Sequence, residues 1–289
     1  MHIFDNDATL IFEALALLTS VTNALGSVFI AKGMKGSSPT AAAFYSVLTQ
    51  ATILTGLLLT RLPSLNLTAI LLFAIGGLLS LGLGRLLYFV AMKGMGVARA
   101  SAVIGSSPIF TTLLSILVLS DQPTVTMFLG AATVTVGIIF ISGAKGFKVE
   151  KALLIGLVST LSYALSNILS KAGLRVESDP FLSAQVGAAS GLLFFLVYMI
   201  LTNQGGGVKA SKTNLLYFIA TGVFMSMGWL AMIEALTLGS VSVVTTIVYS
   251  YPLFTLLLTR LLLKEERFGV REVVGSILVV FGVAFVALL

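Results

Sequence analysis

The sequence predicts an all-α integral membrane protein in which ten transmembrane helices form two inverted repeats of five. The 289 residues are 57% hydrophobic and only 10% charged, whereas soluble domains carry about 25% charged residues. The chain also divides into apolar stretches of about 20 residues, the length that crosses a bilayer. Finally, the segment Ser106–Thr111 is echoed 144 positions later by Ser250–Thr255. These observations exclude a soluble fold and indicate an internal duplication.

The ten predicted spans use nearly the whole sequence, so we expect one membrane domain, 1–289, without a separate soluble domain. The first span is not expected to be a signal peptide, because it follows the acidic residues Asp5 and Asp7 instead of a basic segment. In chain order, spans 1 to 10 are predicted at residues 9–31, 40–60, 68–92, 97–119, 124–143, 152–171, 180–202, 214–237, 241–263 and 270–289.

The two predicted repeats cover residues 9–143 and 152–289. At the offset of 144, Gly84 matches Gly228 and Pro108 matches Pro252. Five crossings leave the chain on the other side of the membrane, so the second copy must be inverted. Inverted repeats with interrupted helices near the midplane are typical of secondary transporters.

The basic residues predict an orientation. When loops alternate sides, three Lys and Arg residues lie on the amino-terminal side, thirteen lie on the opposite side, and Arg85 lies within span 3. Because basic loops stay in the cytoplasm, we expect both termini outside a cell membrane. The net charge of +6 does not indicate nucleic acid, since the basic residues are spread over short loops as topology signals.

Several kinds of chemistry are not expected. The chain has no cysteine, and His2 is its one histidine, so neither thiolate nor histidine metal sites nor Ser-His catalysis is predicted. It also lacks the Gly-Lys-Ser/Thr loop that binds ATP phosphates. We therefore predict no metal, no cofactor and no enzymatic activity.

The order of motifs resembles a known unit. The run Tyr88–Lys93 is followed by a short turn, the Ser-x-Pro helix, Asp121, and a closing span with Gly130 and Gly137. This order resembles the EamA unit of the drug/metabolite transporter superfamily. The second half repeats it with Ile233–Leu236, Ser250–Pro252, Glu265, Glu266, Gly275 and Gly282.

The first helix of each half adds to this resemblance. Leu165–Ile168 through Lys171 is similar to the first-helix motif of the EamA unit, while Gly26–Phe29 lacks its usual Trp and Asn. The resemblance implies two tandem five-helix units that carry a small organic metabolite through a central cavity. It does not name the solute, because members of the superfamily move amino acids, sugars, aromatic solutes and nucleotide sugars.

Pro108 and Pro252 lie close to the centres of spans 4 and 9. A proline inside a helix removes one backbone hydrogen bond and clashes with the carbonyl four residues earlier, here that of Ile104 or Val248. Such a carbonyl must face protein or water within the membrane. We therefore interpret both spans as kinked helices that gate a cavity, the alternative being kinks that only improve packing.

Arg85 is the clearest candidate for contact with a solute. A charge near the midplane costs at least about 2.5–3.5 kcal/mol, so such residues usually face a cavity. The planar guanidinium fork suits a carboxylate or a phosphate, and Gly82 and Gly84 are expected to leave space beside it. Pairing with an internal carboxylate, or extension of Arg85 to the membrane surface, are the alternatives.

Two acidic residues within the spans, Glu13 and Glu234, are candidates for proton coupling. A carboxylate in a partly desolvated cavity can hold and release a proton. Both are predicted on the opposite side of the midplane from Arg85, so no Arg85–Glu234 ion pair is expected. The alternative is an interfacial position in contact with water.

Further polar and aromatic residues within the spans complete the predicted substrate site. Trp229 occupies the repeat position of Arg85, and together they would suit a solute with one charged and one apolar end. With Arg85, the predicted substrate-binding residues are Asn23, Tyr88, Tyr163, Asn167, Trp229 and Tyr249, and Tyr45, Gln50, Gln185 and Tyr251 belong to the same wider set.

The sequence therefore predicts a secondary active transporter that works by alternating access. A nucleotide-sugar or sugar-phosphate exchanger of the same superfamily is the first alternative, and a membrane-embedded lipid-modifying enzyme is the second. The expected partners are the solute and membrane lipids. The spacing Gly187-x-x-x-Gly191 fits either internal helix packing or a dimer contact, so we expect a monomer or a weak dimer.

Overall fold

The computed structural model describes residues 6–60, 63, 65–119, 125–142, 151–203, 208–263 and 269–287, in which every regular element is a helix. Several residues used in the sequence analysis lie outside these ranges: His2, Asp5, Asp121, Glu265 and Glu266.

Thirteen α-helices lie within the described residues. A π-helical segment, Leu78–Gly84, joins α3 directly to α4. In chain order the α-helices are α1 (Asn6–Gly33), α2 (Pro39–Leu58), α3 (Leu67–Gly77), α4 (Arg85–Met95), α5 (Val97–Ile104), α6 (Ser107–Leu119), α7 (Val125–Ser142), α8 (Lys151–Val176), α9 (Pro180–Leu201), α10 (Lys212–Leu238), α11 (Val241–Val248), α12 (Tyr251–Leu262) and α13 (Val270–Ala287).

Eight helical segments among the described residues are long and apolar enough to cross a membrane. They coincide with predicted spans 1 to 4 and 6 to 9. The two remaining predicted spans coincide with α7 and α13, which have 18 residues each. The described residues thus form helices that are long and apolar enough for a multi-pass membrane protein.

The second span of each half begins in the same way. Ser38 caps α2 by accepting a hydrogen bond from the Ala41 amide at 3.1 Å, and Pro39 is the first helical residue. Asp179 caps α9, in which Pro180 takes the same position. Proline is well tolerated there because its missing N–H would have had no partner within the helix. Pro39 and Pro180 thus mark equivalent helix starts in the two halves.

Spans 4 and 9 are each interrupted by a short turn next to the proline at which the sequence predicts a kink. A two-residue turn separates α5 from α6, and another separates α11 from α12. Pro108 and Pro252 are the second residues of α6 and α12, where proline is compatible with a helix start. In each turn a serine closes the break, since Ser106 Oγ donates to the Val103 carbonyl at 2.6 Å and Ser250 Oγ donates to the Ile247 carbonyl at 2.7 Å.

The two breaks contact each other. A Cβ atom added at Gly105 would lie 2.6 Å from Pro252 Cγ and 3.2 Å from the Tyr249 carbonyl oxygen. Glycine is therefore required there by the close approach of the second broken span. The breaks meet at one point inside the protein, where the helical ends surround the site described below.

Helix pairing is exchanged between the two halves. Helix α1 packs antiparallel to α10, with Gly26 against Met225 and Gly33 against Phe218. The equivalent helix of the second half, α8, packs antiparallel to α3, with Gly173 against Phe73. Each first helix thus pairs with the third span of the other half.

Glycines make the closest contacts between helices. Gly77 of α3 lies directly against Gly187 of α9, and Gly191 lies against Leu81 and Gly82. Small residues allow such an approach of helix backbones in lipid. The Gly187-x-x-x-Gly191 pattern is therefore used in packing within the chain.

A similar contact joins the two helices that close the halves. Gly137 of α7 lies against Gly275 of α13, and Gly282 of α13 lies against Gly130 of α7. The pairing is antiparallel, because residue numbers rise along one helix as they fall along the other. The glycines that recur in the two closing helices thus lie along the contact between these helices.

Candidate functional site

A cavity of about 60 Å³ lies between the two halves, next to the helix breaks. Residues of α1, α4, α5, α8, α10, α11 and α12 and of the π-helical segment line it. Six of the seven predicted substrate-binding residues are among them: Asn23, Arg85, Tyr88, Tyr163, Trp229 and Tyr249.

Arg85 is the charged residue of this cavity. Its side chain is only 4% exposed, and its Nη1 atom has no hydrogen-bond partner. The side chain of Tyr163 lies beside the guanidinium and interacts with it. A buried charge with an unused donor is costly, so the site has an unmet capacity to bind an acceptor group.

Residues of α8 and α9 pack against the chain just before Arg85. It is the first residue of α4 and directly follows the π-helical segment. The hydroxyl of Ser159 donates to the Gly84 carbonyl at 2.7 Å, and a Cβ at Gly84 would lie 3.5 Å from the Tyr163 ring. The ring of Phe194 fills the space beside Gly82. Gly84 therefore adjoins the partner of Arg85, whereas Gly82 does not open the cavity as expected.

Tyrosine hydroxyls form the polar part of the wall. Tyr88 Oη lies 3.0 Å from Ser27 Oγ, and the side chain of Tyr88 also interacts with that of Tyr251. Asn167 does not line the cavity, but its Nδ2 donates to Tyr249 Oη at 3.5 Å. Asn167 thus positions a cavity-lining hydroxyl instead of facing the cavity itself.

Trp229 lines the same cavity as Arg85. Its indole N–H donates to the Ala184 carbonyl at 3.3 Å, which leaves the apolar ring as the surface available to a solute. The residues at equivalent repeat positions therefore supply a cationic fork and an aromatic face to one cavity.

Other candidates lie elsewhere. Tyr45 stacks on Phe218 with ring centroids 6.3 Å apart, and Gln185 donates to Thr55. Gln50 is fully buried against the Met225 carbonyl. These three residues contribute to helix packing.

The two acidic candidates also lie away from the cavity. Glu13 is exposed and Glu234 is half-buried, and neither lines the cavity. Among the described lining residues there is no aspartate or glutamate. The described residues also contain no group of His, Cys, Asp and Glu side chains that could hold a metal ion. Proton coupling through Glu13 or Glu234 stays a prediction.

Some lining residues were not among the predicted binding residues, although helical spacing could have found most of them. Thr19 and Ser27 lie four residues on either side of Asn23, and Met225 lies four residues before Trp229. Residues three or four apart share one helix face. The same face of α10 also contributes Met232, and Tyr251 comes from the start of α12.

Comparisons with known proteins agree with this architecture. The model of the EamA-like transporter family matches residues 10–143 and again 150–288. An uncharacterized transporter of Archaeoglobus fulgidus is 24% identical over 276 residues, which cover 95% of this chain and 97% of that protein. A protein known from a crystal structure superimposes with a TM-score of 0.69 at 18% identity, covering 99% of this chain and 98% of that chain, which shows a common fold.

The two family matches divide the chain where the sequence predicts its two halves, and together they span nearly all of it. The resemblance based on the Ser-x-Pro helices and closing glycines is thereby confirmed. With its apolar helices, the chain is a multi-pass membrane protein that belongs to the EamA-like transporter family.

Proposed function

We propose that this protein is a secondary active transporter that moves a small organic solute with an anionic group by alternating access. Ten transmembrane helices form two inverted five-helix repeats in this proposal, with α7 and α13 as spans 5 and 10. The first and third spans of one half run in the same direction, yet α1 packs antiparallel to α10 and α8 packs antiparallel to α3. This opposite direction of the two halves supports the inverted arrangement.

The observation that carries the proposal is the environment of Arg85. A guanidinium that is 4% exposed, with Nη1 unpaired, faces a cavity enclosed between the two halves. A structural arginine would be expected to have its donors satisfied by the protein. An anionic solute would satisfy the free donor and offset the buried charge.

The helix breaks supply the means of moving the solute. The ends of α5, α6, α11 and α12 meet at Gly105 and Pro252, so a change in angle at one break displaces the other. The cavity of about 60 Å³ is smaller than the roughly 300–1,000 Å³ of typical ligand sites. Binding therefore requires the cavity wall to expand, and we assign these half-helices the role of gates of the cavity.

Transport by purified protein in liposomes tests this function. A thermal-shift screen of carboxylates, sugars, amino acids and phosphate esters would first select solutes that stabilise the protein. We expect Arg85→Gln to lower the uptake of anionic solutes at least about tenfold, and Arg85→Lys to lower it less, because lysine keeps the charge but not the planar fork.

Arg260→Gln is the matched control, since Arg260 is exposed near the end of α12. It should leave uptake unchanged. Equal uptake by Arg85→Gln and wild-type protein, with both folded, would contradict the assigned role of Arg85. Absence of uptake for every stabilising solute would contradict transport itself.

A further inference from the structure

We propose that the solute bound at this cavity is a monoanion, with one carboxylate on a flat apolar body and no ammonium group. This inference rests on the proposed function and narrows it to a class of substrate. It separates simple organic acids from the amino acids and phosphate esters that a single arginine could also attract.

The charge balance of the cavity carries the first step. Its described lining contains one guanidinium and no carboxylate, and the positive charge is almost fully buried. Net charge is costly where water is excluded. A carboxylate monoanion makes the occupied site neutral, whereas an amino-acid zwitterion leaves a net positive charge. A phosphate monoester, with about 1.5 to 2 negative charges at neutral pH, leaves an excess of negative charge.

The hydrogen-bonding groups lead to the same class. The free donor is Nη1 of Arg85, and an arginine fork matches the two oxygens of a carboxylate. The hydroxyls of Tyr88 and Tyr249 are already bonded to Ser27 and Asn167. The cavity therefore offers an anion a donor that has no partner within the protein, whereas an ammonium group carries three donors that would each need an acceptor.

Aromatic and sulfur-containing side chains form the rest of the wall. The rings of Tyr249 and Tyr251 lie 6.3 Å apart at 55°, and Trp229 exposes its ring to the cavity. Met225 and Met232 also line it, and methionine is flexible enough to adapt to a ligand and contacts aromatic rings favourably. A flat, unsaturated body fits such a wall, and the methionines can move to admit it.

One feature could instead favour an ammonium group. Proline has no N–H, so Pro108 and Pro252 leave the carbonyls of Ile104 and Val248 without their usual helical donors. Ile104 and Val248 both line the cavity. Carbonyls at the ends of broken helices can coordinate cations. A cation held there would lie in the same small cavity as the guanidinium, which disfavours it by repulsion. The experiment must therefore separate the two cases directly.

Calorimetric binding to purified full-length protein in detergent, at neutral pH, uses a matched set of probes. They share a phenyl ring and differ in charged groups: 3-phenylpropanoate, phenylalanine, 2-phenylethylamine and phenyl phosphate. We expect 3-phenylpropanoate to bind at least about tenfold more tightly than each of the others. Arg85→Gln should abolish this preference, and Arg260→Gln should retain it.

Tighter binding of phenylalanine or of the amine would overturn the inference and assign the carbonyls a role in cation binding. Equal binding of phenyl phosphate and 3-phenylpropanoate would also overturn it, because charge balance would then not select the solute. The calorimetric assay measures binding and not transport. Its result can therefore contradict the inferred class of solute without contradicting the proposed transport function. Selective binding of 3-phenylpropanoate without uptake into liposomes contradicts transport alone, whereas uptake of phenylalanine in preference to 3-phenylpropanoate contradicts the monoanion class alone.

Discussion

Replacement of Gly77 by alanine should destabilise the contact between α3 and α9, while replacement of Gly187, the glycine that it contacts, should not. A Cβ atom added at Gly77 would lie 2.2 Å from both the Cα and the carbonyl oxygen of Gly187. Both are backbone atoms, so no side-chain rotation can relieve the overlap. A Cβ added at Gly187 would have its nearest neighbours at 3.5 Å and 3.6 Å, which is ordinary van der Waals contact.

The magnitudes follow from these distances. To accommodate Gly77→Ala, the two helices must separate locally by about 1.2 Å. Overpacking of this kind costs roughly 1–3 kcal/mol, occasionally more, and the helix preference of alanine over glycine offsets about 1 kcal/mol. We expect a net loss of up to about 2 kcal/mol for Gly77→Ala. Gly187→Ala should be neutral or stabilising by up to about 1 kcal/mol, since it gains helix preference without a clash.

Unfolding of the purified variants in increasing fractions of sodium dodecyl sulfate, followed by circular dichroism, measures the difference. Gly77→Ala should unfold at a lower detergent fraction than wild-type protein, and Gly187→Ala at the same or a higher fraction. Equal stability of the two variants would refute the contact geometry. A larger loss for Gly187→Ala would mean that α9, and not α3, presents the tighter surface.

Three further predictions concern gating, helix closure and orientation. Pro108→Ala and Pro252→Ala should leave the protein folded but slow uptake to a similar degree, because the positions are equivalent; unchanged uptake in both variants would reduce the prolines to packing residues. Lys171 Nζ donates to the Gly239 carbonyl at 2.9 Å and to the carbonyl of Leu236, so Lys171→Met should speed hydrogen exchange at the end of α10, and unchanged exchange would contradict its capping role. For orientation, Ser178→Cys should react with an impermeant thiol reagent in intact cells and Lys209→Cys should not, whereas the reverse pattern would reverse the assignment.

The sequence was sufficient to predict features that depend on composition and spacing. Arg85 stands out because a charge inside an apolar span is costly wherever it faces lipid, and Trp229 followed from the repeat offset. The paired interruptions of spans 4 and 9 follow from the backbone chemistry of proline. Each of these depends on local chemistry or on comparison of the chain with itself.

Features created by distant residues could not be predicted. The space expected beside Gly82 is filled by Phe194, which lies on another helix. Asn167 has the polarity expected of a site residue but bonds to Tyr249 from behind the wall. The turn in span 4 is closed by Ser106, and Gly105 contacts the turn in span 9. Spacing alone does not reveal such tertiary contacts.

The π-helical segment Leu78–Gly84 has a consequence for how this gene can change in length. A π turn holds one more residue than an α turn, so deletion of one residue there can restore α-helical geometry while Arg85 and Tyr88 keep their direction. The same deletion within the continuous helix α10 would turn Trp229 by about 100° around the helix axis. Natural single-residue deletions should therefore be tolerated before Arg85 and selected against before Trp229.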